Sequence, residues 1–200
     1  MYFKIIGIIV LVLLASTFFR PVKVILAKTW INNLKGPISK LSQLLFERKY
    51  KNVKVEEVFD NIYQIEQFLL REFKYKYDPL YGIIDIINSP QKSYATKKLD
   101  CDDYSTLAMW LLSSLKIEAQ MVTVVTEDIK SSHSVCFFTW CTRNNCIPRF
   151  AVFNNGELEQ VDNFEDVLRL AAEGQDILCW NIMDKNLKVI AKGEGYETKT

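Results

Sequence analysis

Two hundred residues with a formal net charge of +1 leave room for one domain of roughly 100–150 residues plus a leader, enough for a hydrophobic core. Balanced charge gives no electrostatic ground for a nucleic-acid partner, and no phosphate loop, dinucleotide fingerprint or EF-hand loop occurs. Five cysteines, Cys101, Cys136, Cys141, Cys146 and Cys179, do not make a dense disulfide framework at this length, and no cofactor is expected.

The chain opens on Lys4 and an apolar run, Ile5–Phe19, closed by Arg20-Pro21. Its length suits a signal-peptide core and, with Met1–Phe3, approaches the ~20 residues of a spanning helix. No clear small-residue cleavage site follows. Residues 1–20 therefore read as a signal anchor, with a cleaved signal peptide as the alternative. The protein is expected at a membrane through this segment, or exported if it is cleaved. Arg20, Lys23, Lys28 and Lys35 favour a cytoplasmic C-terminal side, whereas a signal-like start favours export, and both sides stay open.

Residues 21–54 read as an amphipathic basic stalk or linker with Gly36-Pro37 as a break. Such a segment suits a membrane surface or packs on the domain. The domain itself is placed at 55–192, with 193–200 as a polar tail. Apolar residues from Val55 to Phe73 recur at helical spacing. Lys74–Lys98 lacks periodicity and reads as a loop with short helical turns, of the kind that lines a site.

Lys98–Tyr104 is the centre of the chain. Tyr104, Leu107, Ala108, Leu111, Leu112 and Leu115 form a helical stripe, with Asp100 as N-cap and Asp103 at N3. Cys101 thus falls in the first turn, where unpaired N–H groups favour a thiolate, the reactive form of a cysteine. Asp102 and Asp103 oppose this by repelling a thiolate, so a base is required. His133 is the one histidine in the chain.

Downstream, Ala119–Thr126 is a valine-rich strand, and His133–Cys141 with Cys146–Asn154 form a hairpin around Thr142–Asn145. Asn155-Gly156 is a second turn leading to a strand at Leu158–Val161. Phe164–Ala172 is a helix capped at Asp162 or Asn163 and ended by Gly174. Ile177–Met183 and Leu187–Ala191 are the last strands. Helices followed by strands give an α+β fold with an antiparallel sheet. A turn at Arg143-Asn144 sets His133 opposite Asn154 in a non-hydrogen-bonded pair, with Cβ atoms about 4.5–5.5 Å apart. A turn at Asn144-Asn145 sets Gly156 opposite His133 and Asn154 diagonal to it. Cys141 and Cys146 face each other in the first register, as a cross-strand disulfide in an exported domain or as thiols. The spacing of Cys136, Cys141 and Cys146 is not the x2 spacing of zinc sites, and no metal is expected.

Leu99-Asp100-Cys101-Asp102-Asp103-Tyr104-Ser105 resembles the Gly-Asp-Cys-Asp/Glu-Asp-Tyr-Ala motif of the transglutaminase-like superfamily, nearest its bacterial cysteine-proteinase branch. Ser132–Val135 resembles that family's histidine strand, Val152–Asn155 its Leu-Asp-Asn strand, and Tyr75-x-Tyr77-Asp78 the approach to the cysteine helix. Leu99 replaces a glycine, and Asn154 stands where aspartate is commoner. The resemblance covers roughly Val55–Asn163. It implies a papain-like core with a catalytic helix packed on an antiparallel sheet, and Cys101 as nucleophile, His133 as base and acid, and Asn154 as orienter. It also implies an oxyanion hole from backbone N–H near Cys101 and an upstream side chain. Gln91 and Tyr94 are the candidates for that donor, and Asp102 for contact with a substrate amine. The implied chemistry is attack on the amide bonds of a protein or peptide: hydrolysis, deamidation or transamidation. The alternatives are an inactive binding or structural module of the same fold, and a cell-wall amidase of the NlpC/P60 type.

Overall fold

The computed structural model describes residues 20–77, 86–127, 132–141 and 148–196. Residues 1–19 of the predicted anchor and the predicted turn Thr142–Asn145 lie outside them. Six antiparallel strands form the main sheet: β3 (Ala119–Thr126), β4 (His133–Trp140), β5 (Arg149–Asn154), β6 (Glu157–Val161), β7 (Ile177–Met183) and β8 (Val189–Tyr196), in the order β6-β5-β4-β3-β7-β8. Two short strands, β1 (Lys74–Tyr75) and β2 (Lys98–Leu99), pair in parallel beside it.

The sheet's two faces follow from strand alternation. On one face Met121, Cys136, Phe138, Ala151 and Phe153 pack under α3 (Ile62–Glu72) and α5 (Cys101–Ser114). On the other, Val122, Val124, Val135 and Val152 pack under α6 (Phe164–Ala172). A short turn joins α5 to β3, so the two run antiparallel. A helix of 14 residues rises about 20 Å, slightly more than the ~17 Å from Ala119 to Val124. Cys101 stands at the end of α5 away from β3, and Val124 pairs with His133 near the far end of β3.

The helix expected from Val55 begins at Ile62 instead. Asn61 Oδ1 accepts from Gln64 N–H at 3.1 Å while Gln64 Oε1 accepts from Asp60 N–H at 2.7 Å, a side-chain cap and a companion bond to the residue before it that set the start. Within 74–98 the chain forms α4 (Pro90–Thr96), capped by Ser89 and begun on Pro90, where a missing N–H is harmless. The expected polar tail starts later, because residues 193–196 complete β8 against β7.

The segment read as a stalk or linker over 21–54 packs along the domain. It comprises α1 (Arg20–Thr29), a wider turn at Trp30–Leu34 and α2 (Lys35–Phe46). Gly36-Pro37 does not break it. Both lie in the first turn of α2, where proline is tolerated, and a Cβ on Gly36 would sit 2.4 Å from Leu187 O. Lys35, Ser39, Gln43 and Glu47, at four-residue spacing, face the domain. Ser39 Oγ accepts from Ile87 N–H at 3.0 Å, Gln43 Nε2 donates to Ile87 O at 2.9 Å, and Glu47 Oε2 accepts from Ser89 N–H at 2.9 Å.

The β4–β5 register is that of the Asn144-Asn145 turn, with Cys136 opposite Phe153 and Trp140 opposite Arg149. It differs by two residues from the Arg143-Asn144 register. A slip of two leaves every side chain on its face, whereas a slip of one would invert them all. Asn154 therefore stays on the face of His133, on the diagonal.

Candidate active site

Cys101 is the first residue of α5, half-buried and outside any disulfide. The cap is as expected: Asp103 N–H donates to Asp100 Oδ1 at 2.9 Å. The two neighbouring carboxylates are buried, Asp102 at 1 % and Asp103 at 2 % exposure. Each is met by a group from far along the chain. Lys35 Nζ, itself buried, forms an ion pair with Asp102. Asn88 donates to both oxygens of Asp103, from N–H at 2.9 Å and from Nδ2 at 2.6 Å. Lys92 Nζ in turn donates to Asn88 Oδ1, and to Glu47 Oε1 at 3.2 Å. The repulsion that these carboxylates would exert on a thiolate is thus opposed by an ammonium and by amide dipoles.

His133 Nε2 lies 2.7 Å from Asn154 Oδ1. Asn154 Nδ2 donates to Glu159 Oε1 at 3.1 Å, which fixes the amide's orientation: its oxygen faces the ring. A carboxamide oxygen only accepts, so this contact puts the ring proton on Nε2 and leaves the Nδ1 lone pair for another partner. Glu159 was not singled out in the sequence. Its signal is the two-residue turn at Asn155-Gly156, both at positive φ, which pairs Asn154 with Glu157 and sets Glu159 diagonal to the amide.

Strand alternation directs His133 and Asn154, like Val135 and Val152, to the face covered by α6, while Cys101 opens the helix on the opposite face. The turn after Asn154 lies against α5: a Cβ on Gly156 would meet Tyr104 Cε1 at 3.2 Å.

Tyr75 belongs to this neighbourhood. β1 pairs with β2 just ahead of Cys101, and Lys76 N–H donates to Leu99 O at 2.8 Å. Burial, with negative charge at Cys101 and Asp100 adding to it, pushes the Tyr75 hydroxyl well above its usual range, so it remains a proton donor. Its ring stacks on Tyr104 at 6.4 Å. The other sequence candidates have their own partners or positions. Tyr94 OH donates to Glu57 Oε2 at 2.7 Å, and the ring sits among Phe68, Phe73 and Trp110. Asp102 is buried against Lys35. Gln91 is half-buried near the start of α4. Cys136 and Cys179 are buried thiols in the sheet. Burial pushes Cys136 far up and Cys179 up to about 11. Cys141 is in a disulfide, and Cys146 lies outside the described residues. Among the described residues no group of three His, Cys, Asp or Glu side chains is arranged to hold a metal.

No family model and no curated protein matches this chain. Solved structures of LapG from Legionella pneumophila are similar to it. The calcium-bound form has a TM-score of 0.43 at 14% identity, over 82% of this chain and 91% of that one. The EGTA-treated form has 0.42 at 16%, over 73% and 82%, and a third structure 0.40 at 17%, over 72% and 81%.

Proposed function

We propose that this protein is a thiol enzyme that cleaves amide bonds of a peptide or protein through Cys101, His133 and Asn154, held at a membrane by residues 1–19. His133 Nδ1 takes the thiol proton, and the sulfur attacks the carbonyl carbon. The oxyanion receives hydrogen bonds from backbone N–H at the start of α5 and from the Tyr75 hydroxyl. The imidazolium, steadied by Asn154 with Glu159 behind it, returns its proton to the leaving amine. Water, or a second amine in a transfer reaction, then releases the acyl group from sulfur. The observation that carries this reading is the packing of Gly156 on Tyr104, which brings the Asn154 end of β5 to the first turn of α5.

A second reading, a binding module of the same fold, is favoured by the strand alternation that points His133 to the α6 face. Turnover of labelled peptides and incorporation of a labelled amine, for wild type and Cys101→Ala, separate the two. The thiol reading expects Cys101→Ala to lose at least about 10³-fold. Equal turnover by both proteins contradicts it.

A further inference from the structure

Helix α2 is inside out. A helix on a soluble domain buries its apolar stripe and wets its polar one. Here the polar stripe, Lys35, Ser39, Gln43 and Glu47, is bonded to the domain, and Leu34, Ile38, Leu41, Leu44, Leu45 and Phe46 face outward. Leu41 is 56%, Leu44 61% and Phe46 74% exposed. With polar partners fixing the inward face, the helix has no freedom to roll its leucines under cover. A contiguous apolar patch of this kind marks an interaction surface.

We infer that this face of α2 lies in the interfacial layer of a lipid bilayer rich in anionic headgroups. Two features on the page identify that occupant. The apolar run of residues 1–19 ends at Arg20, where α1 begins and leads into α2, so the patch is tied closely to a segment suited to a bilayer. Charge agrees as well. Between residues 20 and 54 there are nine Lys or Arg and a single acid, Glu47. That acid is buried, while Lys40, Arg48 and Lys49 are exposed beside the leucines. Apolar burial flanked by cations is the binding mode of an interfacial helix, and cations near the surface add attraction to anionic lipid. The same helix turns Lys35 toward Asp102, so bilayer contact and the first turn of α5 share one rigid element.

The inference rests on the reading of residues 1–19 as an anchor, and the test keeps the two apart. The full chain is reconstituted in vesicles of phosphatidylcholine and phosphatidylglycerol that carry a diazirine-bearing acyl chain. After photolysis the lipid adducts are mapped by mass spectrometry. Adducts are expected on residues 1–19 and on the 38–46 stretch of α2. In Leu44→Glu/Phe46→Glu the α2 adducts should fall at least about tenfold while those on 1–19 persist. Adducts on 1–19 with none on α2 in wild type overturn the inference and leave the anchor standing. Adducts on neither overturn both. No lipid adducts on α2, together with cross-links from Lys40 or Lys49 to a second copy of the chain in a parallel treatment with a bifunctional amine reagent, assign the face to self-association and also overturn it.

Discussion

Helices α5 and α6 flank the same sheet and begin by the same rule, yet their first turns differ. Each has a capping side chain that accepts from the N3 amide: Asp100 from Asp103 at 2.9 Å, and Asn163 from Asp166 at 3.0 Å. Each carries two acids in its first turn. In α6 Glu165 is exposed and Asp166 meets Arg169 of the next turn at 3.4 Å. In α5 both acids are buried, and their partners come from α2 and from the stretch before α4. Burying carboxylates works against folding unless each is paired. Buried, paired charges gather at functional sites as well as in structural ion-pair networks, which is what ties this pairing to the role proposed for Cys101.

The contrast breaks most visibly at Lys35. Lys35→Met strands the Asp102 charge in the interior, and a loss of about 3–5 kcal/mol is expected in chemical denaturation. Lys35→Met/Asp102→Leu should recover most of it, because a buried ion pair is close to neutral against apolar replacements. A single-variant loss below about 1 kcal/mol would make α5 as ordinary as α6. The caps sharpen the comparison. Asp100→Ala and Asn163→Ala should each lose about 1 kcal/mol, but only Asp100→Ala should also slow alkylation of Cys101, since only that cap orders the thiol's own turn. The smallest effect belongs to the surface of α6: Asp166→Asn is expected within about 0.5 kcal/mol of wild type, measured by the same denaturation curves.

Much of this was legible because it is local. The bounds of β3, α6 and β7 and the Asp100 cap depend on neighbours a few residues apart, and the structure has them where the sequence reading puts them. What was not legible depends on distance. Strand periodicity fixes which face a residue takes but not which residue it opposes, so the hairpin slipped by two while Asn154 kept its face. The basic segment at 21–54 shows an amphipathic pattern that does not say which side turns inward; hydrogen bonds to Ile87 and Ser89 decide that. Lys35 gives no sign in the sequence that it meets Asp102, and neither Tyr75 nor Glu159 stands out until strand pairing places it. Gln91 and Tyr94 are the donor candidates in the sequence, but Tyr94 completes an aromatic cluster with its hydroxyl bonded to Glu57.

The central claim, that Cys101 is an activated nucleophile and His133 its base, is tested most directly by site-resolved iodoacetamide labelling across pH. Burial pushes the Cys136 and Cys179 thiols up, so neither should react in the folded protein near pH 8. The account expects Cys101 to be alkylated well ahead of both, and His133→Ala to slow it at least about tenfold near neutral pH. A Cys101 that reacts no faster than the buried thiols, or at the same rate with and without the imidazole, would contradict it.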